Sequence, residues 1–484
     1  MNSLTIAWMA LPFFAGFIIY LLPKLDRYLA LGITLISAVY AGSIFLYPSA
    51  LDLKLLDNFG VSLTIDELSG FFILTNALVT LAVIVYCWES NKSAFFYMQV
   101  IILHGSVNAT FICADFISLY VALEVISIAA FLLIAYPRTD RSIWVGLRYL
   151  FVSNTAMLFY LVGAVLVYQA NHSFNFAGLR GSPPEAIALI FLGLLAKGGI
   201  FVSGLWLPLT HSESETPVSA MLSGVVVKAG VFPMLRCALM LDEVDPIVRF
   251  FGVATALLGV GYAVFEKDTK RMLAFHTISQ LGFVLAAPIV GGFYALTHGL
   301  VKSALFLIAG VLPSRNFKEL HHLPLNNSIW IALLIASFSI SGFPLLSGFG
   351  AKVLTSKNFL PWQVIAMNIA ALGTSISFAK FIFLPHEKSK MPGKIKPSFW
   401  VAMVILLGGL IIANVIYYEA YTLKNIIKPL VTIAIGWLAY LIIFKQAAVK
   451  LPRMMEQFDH LIGVMSLMLI LLFWIVWTRL QFSI

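Results

Sequence analysis

Long apolar stretches separated by short loops recur along the whole chain. Each is close to the roughly 20 residues that an α-helix needs to cross a hydrocarbon core of about 30 Å. A bilayer tolerates only structures that pair their own backbone groups, and stretches of this length favour helices. The sequence therefore predicts an all-α polytopic membrane protein with sixteen spans. These are residues 5–22, 28–47, 68–87, 94–113, 116–136, 143–169, 185–207, 217–240, 246–265, 271–290, 293–312, 327–355, 361–384, 398–418, 425–444 and 461–480.

The composition excludes a soluble enzyme. Hydrophobic residues make up 61% of the 484 residues and charged residues only 11%, whereas a soluble domain carries about 25% charged residues. The three cysteines (Cys87, Cys113 and Cys237) show no CxxC spacing, so neither a disulfide framework nor an iron–sulfur site is indicated. No Walker A or GxGxxG run occurs. We expect no cofactor, no metal, no nucleic-acid partner and no redox chemistry in the chain itself.

Basic residues are distributed unequally between two sets of loops. Seventeen lie in loops that follow odd-numbered spans, and seven lie in the other loops or at the C-terminus. Under the positive-inside rule, the odd-numbered loops face the cytoplasm and both termini lie on the outer side of the cell (inner) membrane. The net charge of +9 is therefore attributed to the unequal distribution of basic residues between loops rather than to a surface that binds nucleic acid. Segment 51–66 alternates apolar and polar residues around Asn58 and Gly60, which predicts a small hairpin outside the membrane.

Two lysines stand in apolar stretches beside residues that interrupt helices. Lys197 directly precedes Gly198 and Gly199, and Lys352 follows Pro344 in a later span. An ammonium at mid-bilayer depth costs roughly 3 kcal/mol or more, so each lysine requires a reason. An ion or proton path through a broken helix supplies one. Snorkelling of Lys197 to the membrane interface is the alternative.

The pair of interrupted spans is the pattern expected of an inverted repeat. The chain is therefore divided into N-terminal helices (1–93), a first five-helix repeat (94–240), a second five-helix repeat (246–384) and C-terminal helices (398–484). Lys228, in the span after Lys197, adds another buried cation to the first repeat.

Glu124 is the only charged residue between Asp115 and Arg138. A carboxylate in such a stretch is either neutral or paired. Arg148 and Lys197 are the candidate partners, and a purely structural ion pair is the alternative to a functional one. A Glu124–Lys197 pair whose separation changes would switch the lysine between its charged and neutral forms.

Histidines provide further candidates for proton transfer. His298 and Lys302 are four residues apart and so share one face of a helix. Histidine titrates near neutral pH and suits a relay between lysines, whereas a satisfied core histidine is the alternative for His298. His276 is a weaker candidate. His211 lies in the polar link 211–215, where its position alone favours a loop residue over a ligand.

Five stretches resemble the antiporter-like membrane subunits shared by Mrp-type multi-subunit Na⁺/H⁺ antiporters (their A-type and D-type members) and complex I. They are GVSLTIDELSGFF (60–72), WLPLTHSESETPVSAMLSGVVVKAGVF (206–232), DTKRMLAFHTISQLGF (268–283), THGLVKSALFLIAG (297–310) and SGFPLLSGFGAK (341–352). The resemblance implies a 14-helix core with two inverted five-helix repeats and two discontinuous helices, followed here by about two more. It also implies a proton path through Glu124, Lys197, Lys228, His298, Lys302 and Lys352.

The resemblance leaves two functions open. One is a proton-conducting subunit of an Mrp-type antiporter that exchanges Na⁺ for H⁺. The other is a proton-pumping subunit of a complex I-type NADH or ferredoxin:quinone oxidoreductase. Partner membrane subunits, the lipid bilayer, H⁺ and Na⁺ are implied. The shifted acid in the loop around His211 and the extra terminal helices favour the antiporter, whereas a paralogue that has lost conduction is disfavoured because the path residues are retained together.

Overall fold

The computed structural model describes residues 2–47, 50–56, 60–388, 395–445, 449 and 451–481. It is a helical membrane fold, which confirms the predicted class. The uninterrupted long helices are Asn2–Leu21, Asp26–Leu46, Glu67–Tyr86, Ala94–Thr110, Phe116–Ile134, Asp140–Asn171, Asp245–Phe265, Thr269–Ala286, Gly291–Ala309, Val364–Ile382, Pro397–Ile416, Leu423–Ala439 and Phe458–Gln481.

Each of the sixteen predicted spans coincides with a helix or with a run of helical segments. Thirteen helices in the described ranges are long and apolar enough to cross a membrane. Among the other three, Ala94–Thr110 has 17 residues and Thr269–Ala286 begins with the charged Lys270 and Arg271. The third, predicted at residues 327–355, is divided by a break into two shorter helices. The chain is therefore a multi-pass membrane protein.

The predicted hairpin is present outside the helices. Strand Leu51–Lys54 pairs antiparallel with strand Ser62–Ile65, with Leu51 opposite Ile65. The predicted turn at Asn58 lies outside the described residues. The amide of Ser62 donates to the Asp115 carboxylate at 2.7 Å, so the hairpin is fixed to the start of helix Phe116–Ile134.

Two spans are broken, as the sequence predicts. The first broken helix consists of Pro184–Gly198, Phe201–Trp206 and Leu207–Glu213, and the second consists of Asn327–Ser341 and Ser347–Lys357.

Both breaks have the same local cause. The leading segments end on Gly199 and Gly342, whose φ angles of +68° and +85° are left-handed. In the first break, the Ile200 amide donates to the Leu195 carbonyl at 2.9 Å. In the second break, the Phe343 amide donates to the Phe338 carbonyl at the same distance, 2.9 Å. This is the Schellman motif, which favours glycine because a Cβ would be strained at positive φ.

Three elements that follow the first break in the sequence form the buried interior of the fold. The bridging helix comprises Thr216–Met221, a π turn at Leu222–Val226 and Lys228–Met240. Single π turns occur frequently at functional sites. Helices Thr269–Ala286 and Gly291–Ala309 are buried along their whole length. Polar side chains on these elements are therefore shielded from lipid by the protein.

The two C-terminal helices pack on different parts of the fold. Helix Leu423–Ala439 packs on Val364–Ile382, whereas Phe458–Gln481 packs on Pro184–Gly198 and Phe201–Trp206. The last helix therefore covers the first broken helix at its break.

Candidate functional site

Three oxygen atoms hold the ammonium of Lys197, at the end of helix Pro184–Gly198. Nζ donates to the Leu123 carbonyl at 2.9 Å, to Ser153 Oγ at 2.9 Å and to Ser127 Oγ. The side chain is 3% exposed, so it does not snorkel to an interface. A hydroxyl can both accept and donate a hydrogen bond. These serines can therefore solvate the lysine before and after it releases a proton.

Glu124 belongs to the same site but does not touch the lysine. Neither Lys197 nor Arg148, both within the described residues, approaches its carboxylate within the 4.0 Å of an ion pair. Its charge still attracts that of Lys197. Oε1 is buried and has no hydrogen-bond partner in the protein. The predicted direct pair is therefore replaced by a longer-range electrostatic interaction.

Arg148 is directed toward the C-terminal segment, which explains why it does not pair with Glu124. Its guanidinium donates to the backbone carbonyl of Glu456. The Glu456 carboxylate accepts two bonds from Arg271, at 2.6 and 2.8 Å. The prediction of Arg148 as a partner of Glu124 was wrong because a residue more than 300 positions away engages it.

Lys228 is buried and bonded to the turn before its own helix. Nζ donates to the Gly224 carbonyl at 2.5 Å. At Gly230, a Cβ atom would lie only 2.3 Å from the backbone nitrogen of Gly198, so the two backbones are in close contact there. At Gly299, a Cβ atom would lie 3.5 Å from Lys228 Cε, which is an ordinary van der Waals distance. The bridging helix thus packs closely between the first broken helix and helix Gly291–Ala309.

His298 and Lys302 lie on helix Gly291–Ala309 and are buried together. Lys302 Nζ donates to the Leu273 carbonyl at 2.5 Å. Both ring nitrogens of His298 lack a hydrogen-bond partner in the protein. Charges on Lys228, His298 and Lys302 lie close enough to repel one another. Because like charges cannot all persist in a buried cluster, some of these groups must be neutral at any moment.

His276 has a more central position than the sequence indicated. It is fully buried, neither ring nitrogen has a partner in the protein, and it lies within electrostatic range of Lys302, Lys380 and Lys352. Its ring packs against Phe378 at 4.8 Å between centroids. The available signal was the polar run from His276 to Gln280 within an otherwise apolar span.

Lys352 lies on the trailing segment of the second broken helix. Nζ is buried without a hydrogen-bond partner in the protein and lies 5.5 Å from the centre of the Phe283 ring. Serine hydroxyls around the break likewise lack protein partners, although such buried atoms cost about 1–3 kcal/mol when left unsatisfied. They belong to Ser337, Ser339, Ser341 and Ser347. In proteins, ordered water commonly satisfies buried polar atoms of this kind.

A cavity of about 80 Å³ adjoins Lys352. Besides Ser341 and Lys352, its polar wall includes Asn425, Lys428 and Thr432. The last three come from helix Leu423–Ala439, a part of the chain that carries none of the recognised motifs. This helix therefore contributes to the surroundings of the second break.

The polar link near His211 is helical rather than a loop. His211 is buried on helix Leu207–Glu213, and neither ring nitrogen has a partner in the protein. The two nearby acids pair outward, Glu213 with Arg141 at 3.4 Å and Glu215 with Lys92 at 2.6 Å. The prediction of a loop residue was wrong because the helix resumes immediately after the break.

A protein-family model described as "NADH:quinone oxidoreductase/Mrp antiporter, TM" matches residues 113–377, more than half of the chain. The chain belongs to this family. The matched part contains all six residues that the sequence assigns to a proton path. Whether they conduct protons remains a prediction.

Relatives in the family differ in the complexes that their names describe. The chain is 27% identical over 395 residues to the D-type subunit of a Na⁺/H⁺ antiporter from Alkalihalophilus pseudofirmus, covering 73% of this chain and 80% of that protein. It is 30% identical over 380 residues to the N-type subunit of an NADH-quinone oxidoreductase from Desulforudis audaxviator, covering 70% and 74%.

A solved structure has the same fold. A chain of the membrane-bound sulfane sulfur reductase, an archaeal respiratory membrane complex, superposes with a TM-score of 0.76 at 20% identity, over 90% of this chain and 99% of that one. At this identity the likeness concerns the fold alone.

Proposed function

We propose that the chain is the proton-conducting subunit of a multi-subunit Mrp-type antiporter that exchanges cytoplasmic Na⁺ for external H⁺. The observation that carries the proposal is a series of buried basic side chains between the two broken helices, surrounded by buried polar atoms that lack protein partners. The similarity to the D-type member of a Na⁺/H⁺ antiporter, over 73% of this chain, supports the choice of complex.

Proton transfer begins or ends at Lys197 in this proposal. Glu124 favours the charged lysine, while burial favours the neutral one. A small movement of the first broken helix would change this balance. Ser127 and Ser153 keep the amine solvated in both forms because hydroxyls can reverse their hydrogen bonds. The proton is thus held or released without leaving an unsatisfied amine.

Between the broken helices, protons move through Lys228, His298, Lys302 and His276 with water in the gaps. Mutual repulsion within this cluster makes a proton arriving at one site favour release from the next. At the far end, Lys352 exchanges protons with the cavity beside the second break. Broken helices suit both ends because unwound backbone can face a cavity without facing lipid.

The topology completes the proposal. The odd-numbered loops face the cytoplasm, both termini lie outside in the cell membrane, and segments 94–240 and 246–384 form repeats of opposite orientation. Charge asymmetry of the loops and the paired Schellman breaks support this arrangement. Other membrane subunits complete the assembly, because the relatives are themselves named as subunits.

A second function is supported by a separate observation. The relative named as part of an NADH-quinone oxidoreductase is 30% identical over 70% of this chain. In that case the same residues would pump protons, driven by electron transfer in other subunits.

Purification of the chain with its native partners distinguishes the two functions. The antiporter proposal expects a complex without flavin or iron–sulfur absorbance, whose vesicles dissipate a pH gradient when Na⁺ is added. Na⁺-independent acidification driven by NADH or ferredoxin, together with iron–sulfur absorbance, would overturn it in favour of the redox-driven complex. Lys197→Ala should abolish either proton flux.

A further inference from the structure

A basic cavity of about 150 Å³ is lined by Lys380 and other basic residues. It lies between the end of helix Asp245–Phe265, the segment at Phe317, the last turn of Val364–Ile382 and the end of the π turn Tyr440–Phe444. One water needs roughly 10–15 Å³ of such space, so the cavity admits a group much larger than water. No residue of the proposed proton path lines it.

The charges that line this cavity are predominantly positive. Four lysines and one histidine face it, together with a single acid, Glu266. The basic residues are Lys267, Lys318, His321, Lys380 and Lys445.

Other residues already neutralise the acid. Glu266 accepts from Arg271 at 3.1 Å, and Arg453 lies 3.3 Å from its carboxylate. It also accepts from the amides of Lys267 and Asp268. Glu266 still attracts Lys380, but Lys267, Lys318 and Lys445 form no ion pair with any residue that the structure describes.

His321, which lies outside the membrane spans, interacts electrostatically with Lys445. Burial lowers the pKa of His321, and the charges of Lys445 and His322 lower it further. A cluster of uncompensated cations is unfavourable by itself. A bound anion would remove this repulsion.

The cavity lies where the membrane surface meets the aqueous phase. Lys267, Lys318 and Lys445 follow odd-numbered spans and so lie on one side of the membrane, while Lys380 is in the last turn of a span that ends on that side. Phe265 and Phe444 line the same cavity, with their rings 5.6 Å apart. The site therefore combines cations with an apolar wall.

We propose that this cavity binds a phosphate group, with Lys318 and Lys445 at its exposed rim and Lys380 at its buried end. Basic pockets between spans on the cytoplasmic side suit the headgroups of anionic phospholipids, and the aromatic wall suits the adjoining acyl chain. A free phosphate compound has the same recognition chemistry. Lys380 also donates to the carbonyls of Ala263 and Glu266, so a ligand here would stabilise the junction of two helix ends.

The test uses the intact complex and the double variant Lys318→Gln/Lys445→Gln. Both side chains are exposed, so neither substitution removes a core contact. The matched control is Lys357→Gln/Lys424→Gln, which removes two exposed lysines on the opposite side. Retained phospholipid is measured by native mass spectrometry after exchange into detergent, and rebinding is measured with vesicles of phosphatidylglycerol or phosphatidylcholine.

The wild type and the control should retain phosphatidylglycerol, whereas the rim variant should bind it roughly 30-fold more weakly, because each lysine contributes about a factor of five. Inorganic phosphate that stabilises the delipidated wild type but not the rim variant would identify a free phosphate compound as the ligand of the same site. Equal retention by all three proteins, or equal binding of phosphatidylcholine, would overturn the proposal.

Discussion

Arg271 donates to both carboxylate oxygens of Glu456, at 2.6 and 2.8 Å. The bond joins helix Thr269–Ala286 to the turn Met454–Glu456, which precedes the last helix. The carbonyl of Glu456 accepts from Arg148 on helix Asp140–Asn171. One short C-terminal segment thereby connects the two groups of five helices and positions the helix that covers the first break.

Glu456→Gln should destabilise this connection. Removing one partner of a buried ion pair costs up to about 3–5 kcal/mol, and the cost here is smaller because Arg271 keeps its 3.1 Å bond to Glu266. We expect a lower Tm of the purified complex and faster proteolysis of the segment before the last helix. Glu419→Gln, at an exposed position, is the control. An unchanged Tm with intact resistance to protease would show that the bond does not hold the segment.

Stability should also depend on pH through Glu266, which lies just after a membrane span. Burial alone would raise the pKa of Glu266, but Arg271 and the amides of Asp268 and Lys267 lower it below its usual range. A lowered pKa stabilises the fold above the ordinary glutamate pKa of about 4.3, and the contribution is lost as pH falls toward the folded value. Glu266→Gln should therefore flatten the fall in Tm below about pH 4.3, measured in detergent.

Local features of the fold could be predicted from sequence, whereas side-chain partners could not. Gly199 and Gly342 end their helices by a backbone conformation that neighbouring residues alone determine. The partners of Lys197 lie 44 to 74 positions away, and which of them meets the ammonium depends on how three helices pack. The sequence predicts Glu124 as the partner of Lys197 because their charges are opposite. Ser127 and Ser153 carry no charge, so nothing in the sequence indicated them.

Glu124→Gln should reduce transport strongly while leaving assembly intact. The substitution removes the charge that favours protonated Lys197, but it breaks no direct ion pair because neither candidate partner lies within 4.0 Å. Na⁺-dependent dissipation of the pH gradient in everted vesicles measures the first effect and a native gel measures the second. Glu243→Gln, an exposed position, is the control. Loss of the assembled complex would instead indicate a structural role for the carboxylate.

His276→Gln should interrupt proton transfer between Lys302 and Lys352. Glutamine retains polarity and approximate size but cannot carry a proton at neutral pH, so transport should fall toward the level of empty vesicles. Expression and Tm should stay near wild type, because neither ring nitrogen of His276 has a protein partner to lose. His322→Gln provides a control outside the membrane spans. Transport at the wild-type rate would place His276 outside the path.

The cavity beside Lys352 should be reached from the outer side of the membrane. Ser356 lines it in the last turn of helix Ser347–Lys357, next to the loop that is assigned to that side. The three native cysteines are buried, so background labelling should be low. In right-side-out vesicles, an impermeant thiol reagent should modify Ser356→Cys and block transport, because the bulky adduct fills the cavity. Ser337→Cys, which is buried and does not line the cavity, should stay unlabelled. Modification of Ser356→Cys only in everted vesicles would mean that the second break opens to the cytoplasm, and the proposed orientation would have to be reversed.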